Sequence, residues 1–122
     1  MTKLIDVLKE VKEKALKHYE ELKSRTNDDE GKEMIVFTSR TIHTRNVSDI
    51  REEDTDEFIG ITNEGWIVYK HDIQYFGGPI KISNESFWNI EEEKLIKVLE
   101  EYSNDEYVSF ISKVSSIYDK YR

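Results

Sequence analysis

The fold of this chain is decided by residues 58–70, which hold two runs of strand-forming residues. The first run is Phe58-Ile59-Gly60-Ile61-Thr62, the second is Trp66-Ile67-Val68-Tyr69-Lys70, and Asn63-Glu64-Gly65 joins them. β-Branched and aromatic side chains favour strands. A glycine at the end of a short loop allows the left-handed backbone that a tight turn requires. The pattern therefore predicts an antiparallel hairpin at the centre of a sheet.

Further strands are predicted on both sides of this hairpin. Met34-Ile35-Val36-Phe37 opens a strand that runs through Ile42, and the second hairpin strand continues to Tyr75. Gly77-Gly78-Pro79 turns the chain before a short fourth strand that contains Ile80 and Ile82.

An acidic run precedes the hairpin. Residues 49–57 hold six carboxylates and one arginine. Blocks of like charge repel one another and favour solvated, irregular structure. The run is therefore predicted to be a linker.

Helical patterns flank the strands. Apolar residues recur at spacings of three and four over residues 3–25, which predicts one N-terminal helix. Asn89 with Glu92, and Ser103 with Glu106, resemble capping boxes and predict helices over 90–102 and from about 104 onward. The order α-β-β-β-β-α-α predicts a single α+β domain over residues 1–122. It would contain an antiparallel sheet of about four strands with helices packed on one face.

Composition restricts the classes of function. The chain has 122 residues, 37% hydrophobic content and no cysteine. Without cysteine there are no disulfides, no thiol catalysis and no cysteine-ligated metal. No run approaches the roughly 18 apolar residues that a membrane span needs. We expect a cytoplasmic protein that does not bind membranes.

The net charge of −8 is concentrated in one part of the chain. Residues 1–25 carry +2, residues 26–64 carry −7 and residues 65–122 carry −3. A negative field repels phosphate backbones and anionic membrane surfaces, so direct binding to nucleic acid is not expected. The same field attracts a basic protein, and proteins that bind nucleic acids commonly have basic surfaces.

The three histidines were the main candidates for catalysis or metal binding. His18, His43 and His71 do not form an H-x-H, H-x-x-x-H or H-E-x-x-H motif. The sequence therefore predicts no catalytic, cofactor or metal site. An alternative is a small metal-dependent or nucleotide-acting enzyme in which His43 and His71 converge with nearby carboxylates on neighbouring strands.

Aromatic residues indicate where a partner would bind. Several of them fall in and beside the hairpin, and a sheet covered on one side cannot bury both alternating sets. Exposed tyrosines often anchor protein interfaces. The predicted partner-binding residues are the acidic run and two tyrosines, namely Asp49, Glu52, Glu53, Asp54, Asp56, Glu57, Tyr69 and Tyr75. A second acidic candidate lies on the C-terminal helices, with Glu91, Glu92, Glu93, Glu100, Glu101, Asp105 and Glu106.

These features favour a non-enzymatic acidic module, an inhibitor or adaptor that occludes the basic, nucleic-acid-binding surface of a partner protein. In size, acidity and lack of cysteine the chain is similar to small inhibitors encoded by phages and mobile elements. Several of those inhibitors present carboxylates in place of DNA phosphates, so the resemblance implies a viral DNA mimic.

Two other interpretations stay open. The charge alone could serve to keep a small domain in solution. The chain could also be an oligomerisation module, a homodimer formed through the apolar stripe of the N-terminal helix. That stripe contains Leu4, Leu8, Val11, Ala15 and Leu22.

Overall fold

In chain order, a five-stranded antiparallel sheet follows an N-terminal group of helices and precedes a C-terminal group. The computed structural model describes residues 3–26, 31–48, 51–75 and 80–122, and for residues 43–48, 51, 75 and 80–85 it describes the backbone alone. The elements in chain order are α1 Leu4–Lys17, α2 Tyr19–Leu22, β1 Ser24–Arg25, β2 Glu33–Ser48, β3 Arg51–Thr62, β4 Gly65–Tyr75, β5 Ile80–Asn89, α3 Glu92–Leu99 and α4 Asn104–Lys120.

The predicted hairpin is confirmed as the β3–β4 pair. Phe58 lies opposite Tyr69, and Thr62 lies opposite Gly65 at the turn. Gly65 has a φ of 121°, which glycine adopts without the steric cost of a Cβ. Every strand pairs with the next one along the chain, in the order β1-β2-β3-β4-β5. The sheet has five strands, rather than about four, because the two-residue β1 adds to the β2 edge.

One face of the sheet is covered by α1, α3 and α4. Ile35, Ile59, Ile61 and Trp66 of the sheet are buried there in one apolar cluster. Each helix contributes apolar residues from its inner face. Their spacing of three or four residues places them on the same side of the helix. These are Leu8, Val11 and Ala15 of α1, Leu95 and Leu99 of α3, and Phe110, Val114 and Ile117 of α4.

The opposite face of the sheet holds a second, smaller cluster. Met34, Ile67 and Tyr69 are buried there, with Val36 and Phe58 packed against them. Lys32, which precedes β2, lies across this face with its Nζ 5.3 Å from the centre of the Tyr69 ring. Both alternating sets of side chains are therefore buried from Trp66 to Tyr69 of β4, whereas Lys70, Asp72 and Gln74 are half-buried.

The N-terminal helical region is shorter and more broken than predicted. The expected helix over 3–25 ends at Lys17, resumes as α2 for one turn, and gives way to β1. The break is at His18, whose φ of −111° and ψ of 24° lie outside the helical region. The His18 ring stacks on Tyr121 at 3.8 Å between centroids, which holds the break against the end of α4.

The prediction that the acidic run is a linker is wrong for those of its residues that the structure describes. Residues 51–57 belong to β3, which is paired with β2 on one side and β4 on the other. Arg40 of β2 and Lys70 of β4 lie opposite Glu57, and His71 of β4 lies opposite Asp56. These partners offset the repulsion between the carboxylates of β3. Asp49, at the start of the run, lies outside the described residues.

Of the two predicted capping boxes, the one at Ser103 is confirmed in its N-cap bond, while Glu106 bonds to the Ser103 hydroxyl and not to its backbone N–H. Ser103 Oγ accepts a hydrogen bond from the Glu106 backbone N–H at 3.3 Å, and Glu106 Oε1 accepts one from Ser103 Oγ at 2.5 Å. The box at Asn89 and Glu92 is wrong, since α3 begins after Glu91 without a side-chain cap. Asn89 instead ends β5, and its amide donates to Glu64 Oε2 at 2.9 Å.

Candidate partner-binding surfaces

Glu57, predicted as an exposed contact residue, is buried at the edge of the helical layer. Its exposed fraction is 1%. Arg40 Nε lies 3.0 Å from Glu57 Oε1, and Lys70 Nζ lies 3.0 Å from Oε2. The Tyr102 hydroxyl also donates to Oε1. The expectation that this carboxylate faces solvent is wrong, because three donors from β2, β4 and the α3–α4 connection surround it.

This cluster joins the sheet to the helices. Arg40 Nη1 donates to the Glu101 backbone oxygen at 3.1 Å, and its guanidinium lies 4.1 Å from the centre of the Tyr102 ring. Burial by itself would raise the pKa of Glu57. Hydrogen bonds from Tyr102 and Lys70, with the charges of Lys70 and Arg40, outweigh burial and hold the pKa below its ordinary value. Glu57 therefore stays ionised at neutral pH and has a structural role.

Most of the other predicted β3 carboxylates have partners within the sheet. Asp56 accepts a hydrogen bond from Thr41 Oγ1 at 2.6 Å, and Gln74 Nε2 lies 3.5 Å from Glu53 Oε1. Asp54 is half-buried, whereas Glu52 is exposed. The β3 strand thus offers a partner less free negative charge than its composition indicates.

The two predicted aromatic anchors do not form an exposed row. Tyr69 is 2% exposed, so the expectation that it projects into solvent is wrong; Phe58 and Lys32 pack against it. Tyr75 ends β4, and its side chain lies outside the described residues. Among the described side chains of the sheet, the exposed aromatic ones are instead Phe87 and Trp88 on β5, each about half exposed.

His71 is buried on the same face as Tyr69. Its Nε2 lies 3.3 Å from Asp56 Oδ2, and its ring contacts the rings of Phe58 and Tyr69. The side chain of His43 lies outside the described residues. In the part of the chain that the structure describes, no three His, Asp or Glu side chains are grouped to hold a metal ion. The described residues therefore offer no metal site that would support the alternative of a metal-dependent enzyme.

The apolar stripe of α1 packs inside the chain. Leu8, Val11 and Ala15 are fully buried against the sheet and the other helices. Leu4 and Leu22, at the two ends of the stripe, are half-buried. The central residues of the stripe are therefore not available to join a second copy of the chain.

A groove that sequence reasoning missed runs across the helical layer. We call it the helix groove. It has a volume of about 440 Å³ and is lined by Leu4, Ile96, Leu99, Glu100, Tyr102, Asn104 and Tyr107. From Tyr107 a shallower apolar depression continues along α4 over Val108, Ile111 and Ser112. Tyr107 is 36% exposed and Val108 is 55% exposed.

The signal for this groove was present in the sequence of α4. Phe110, Val114 and Ile117 already supply an inward apolar stripe. Tyr107 and Val108 extend apolar character around the helix, beyond what one buried face requires. Residue spacing alone does not separate the inward positions of α4 from the outward ones, so it does not predict the second apolar face.

The segment that supplies most of the groove lining is rich in carboxylates. Residues 91–106 contain seven acidic residues and two lysines. Glu92 is buried and pairs with Lys12 at 2.7 Å, Glu106 Oε1 accepts a hydrogen bond from the N-cap residue Ser103, and Glu101 lies 3.7 Å from Arg40. The remaining acidic residues are exposed, and none of them forms an ion pair with another described residue. These are Glu91, Glu93, Glu100 and Asp105, which we call the acidic rim.

Comparison with known proteins returned no relatives. No protein-family model, curated protein or solved structure matches this chain. Among the described residues, no helix is both long enough and apolar enough to cross a lipid bilayer.

Proposed function

We propose that this chain is a non-enzymatic protein-binding module that contacts a basic surface of a partner protein through the acidic rim and the helix groove. The observation that carries the proposal is that the exposed carboxylate of Glu100 and the exposed side chain of Tyr107 line the same groove, with exposed Val108 next along α4. Interfaces commonly combine an apolar centre with a polar rim.

The two parts of this surface have different roles. Long-range attraction between the acidic rim and a basic patch raises the association rate, and this effect weakens as salt screens the charges. Apolar contacts in the groove form only once the two proteins have met, and they lower the dissociation rate. Net charge of −8 adds to the steering field.

The finer proposal is inhibition by occlusion. A basic surface that binds nucleic acid recognises closely spaced phosphates, and rim carboxylates can occupy the same cationic side chains. A partner held in this way cannot bind its nucleic acid. Competition with duplex DNA for the partner, recovered by pull-down from the native host at low salt, tests this step.

Neutralising the acidic rim is expected to slow association with that partner about tenfold at low ionic strength, because steering depends on these charges. The variant carries Glu91→Gln, Glu93→Gln, Glu100→Gln and Asp105→Asn. Stopped-flow fluorescence at two salt concentrations gives the association and dissociation rate constants. The rate constant should also depend less on salt than that of the unmodified protein.

A matched control has the same change in net charge at another place. It carries Glu10→Gln, Glu13→Gln, Glu20→Gln and Glu21→Gln, all exposed residues of α1 and α2. If both quadruple variants slow association equally, the rim has no special role. If neither does, the carboxylates serve solubility and the proposal fails.

A further inference from the structure

We infer that the helix groove binds an amphipathic helix of the partner, with the apolar side chains of that helix in the groove and its Lys and Arg side chains against the acidic rim. This inference rests on the proposed function and specifies the chemistry of the partner segment. It identifies Tyr107 and Val108 as the apolar contact residues.

The floor of the groove is apolar and comes from three helices. Leu4 lies near the start of α1, Ile96 lies in α3, and Tyr107 lies in the first turns of α4. Leu99 and Tyr102, which are buried, close the bottom. A concave apolar site of this volume lies within the range that binding pockets show, about 300–1,000 Å³.

The apolar surface continues beyond the groove along one face of α4. Val108 and Ile111 are three residues apart and so lie on neighbouring turns of the same side. A strip of this form fits the repeated apolar positions of a second helix, which recur every three to four residues. The strip is too extended for a single small ligand.

Charge around the groove specifies a basic helix. Glu93 and Ile96 lie three residues apart on α3, and Glu100, which follows its last residue in helical conformation, is four residues after Ile96. Carboxylates therefore lie one turn before and one turn after a groove-lining residue. Asp105 precedes Val108 by three residues on α4. Lys94 and Lys97 are the exposed lysines of α3, and the four carboxylates of the acidic rim outnumber them.

The backbone of the groove favours a helix over an extended strand. An extended peptide binds well where it can add hydrogen bonds to an open sheet edge. The residues that line the groove belong to α1, α3, α4 and the α3–α4 connection, and none of them lies in a strand with an open edge. A helix satisfies its own backbone and presents side chains alone, which is what this surface can accommodate.

Two synthetic peptides test the inference without knowledge of the partner. The first is a fluorescein-labelled peptide of leucine and lysine, with leucine at helical spacing; the second has the same composition in scrambled order. Fluorescence anisotropy at low salt measures the affinity of each. We expect the amphipathic peptide to bind roughly tenfold more tightly, since it alone can place a row of apolar side chains in the groove.

Variants locate the binding surface. The double variant Tyr107→Ser and Val108→Ser should lose about tenfold in affinity for the amphipathic peptide. The control, Phe87→Ser with Trp88→Ser, removes two exposed aromatic residues from β5 and should bind like the unmodified protein. Val108→Ser alone, at a position more than half exposed, supplies a second test if the double variant does not fold.

The outcomes separate this inference from the function on which it rests. Equal affinity for both peptides, or full affinity in the Tyr107 and Val108 variants, overturns the groove inference. If neutralising the acidic rim still weakens binding of both peptides, the proposed function stands without the groove. If neutralising the rim changes neither affinity, the proposed function and the basic character of the partner helix both fail.

Discussion

Glu57→Gln is expected to lower the free energy of unfolding by about 3 kcal/mol at pH 7, because it leaves two cations without their shared carboxylate. Arg40 is largely buried, and its Nε lies 3.0 Å from Glu57 Oε1. Lys70 is partly exposed, so hydration of its ammonium group replaces part of the interaction that it loses with Glu57. Urea denaturation followed by tryptophan fluorescence measures the change.

The pH dependence of this effect has a definite sign. The folded-state pKa of Glu57 lies below its ordinary value of 4.5. Folding therefore favours the ionised form, and the stabilisation is fully present above the ordinary pKa. It is lost as the pH falls below that value and through the folded-state pKa. The difference in stability between the unmodified protein and Glu57→Gln should accordingly shrink below about pH 4.5.

Glu52→Gln is the matched control for this prediction. Glu52 lies on the same strand but is exposed. Its substitution should change the free energy of unfolding by no more than about 0.5 kcal/mol. Equal losses in the two variants would show that the β3 carboxylates act through the general charge and not through the buried cluster.

Gly60→Ala is expected to destabilise the protein by about 3 kcal/mol, because there is no space for a methyl group between β2 and β3. A Cβ at residue 60 would overlap the Ile35 backbone oxygen and the Met34 side-chain terminus. The Met34 terminus can move aside, whereas Ile35 is held in the β2–β3 ladder opposite Ile61. Thermal and urea denaturation measure the loss.

The control for Gly60→Ala is Ser39→Ala, at an exposed position on β2. It should leave stability within about 0.5 kcal/mol of the unmodified protein. A stable Gly60→Ala variant would contradict the register in which Gly60 lies opposite Val36, next to the irregularity between Val36 and Thr38.

The hairpin was predictable because its signals are local. Gly65, the adjoining β-branched residues and the spacing of the two runs all act within thirteen positions. The confirmed N-cap bond of Ser103 is local in the same way, since its two residues are three positions apart. Where a structural preference is encoded by near neighbours, sequence alone identifies it.

The predictions that are wrong concern residues whose environment depends on partners distant in sequence. Composition indicated a linker at the acidic run, but Arg40 lies 17 residues before Glu57 and Tyr102 lies 45 residues after it. Only the folded sheet brings them together. The sequence predicts an exposed Tyr69, because nothing in the residues of β4 indicates that Lys32 packs across the second face of the sheet. The helix groove likewise requires the relative positions of three helices.

The contact between the first and last helices determines the order in which this chain folds. All strand pairs join neighbours in sequence, so the sheet can form by successive hairpins. The helical layer instead joins residues such as Lys14 and Tyr118, which are 104 positions apart. Contacts of such long sequence separation form slowly, because a large loop must close first. During synthesis the apolar stripe of α1 can pack against the sheet and α3, but its covering stays incomplete until α4 has been made. The chain is most prone to aggregate in this interval.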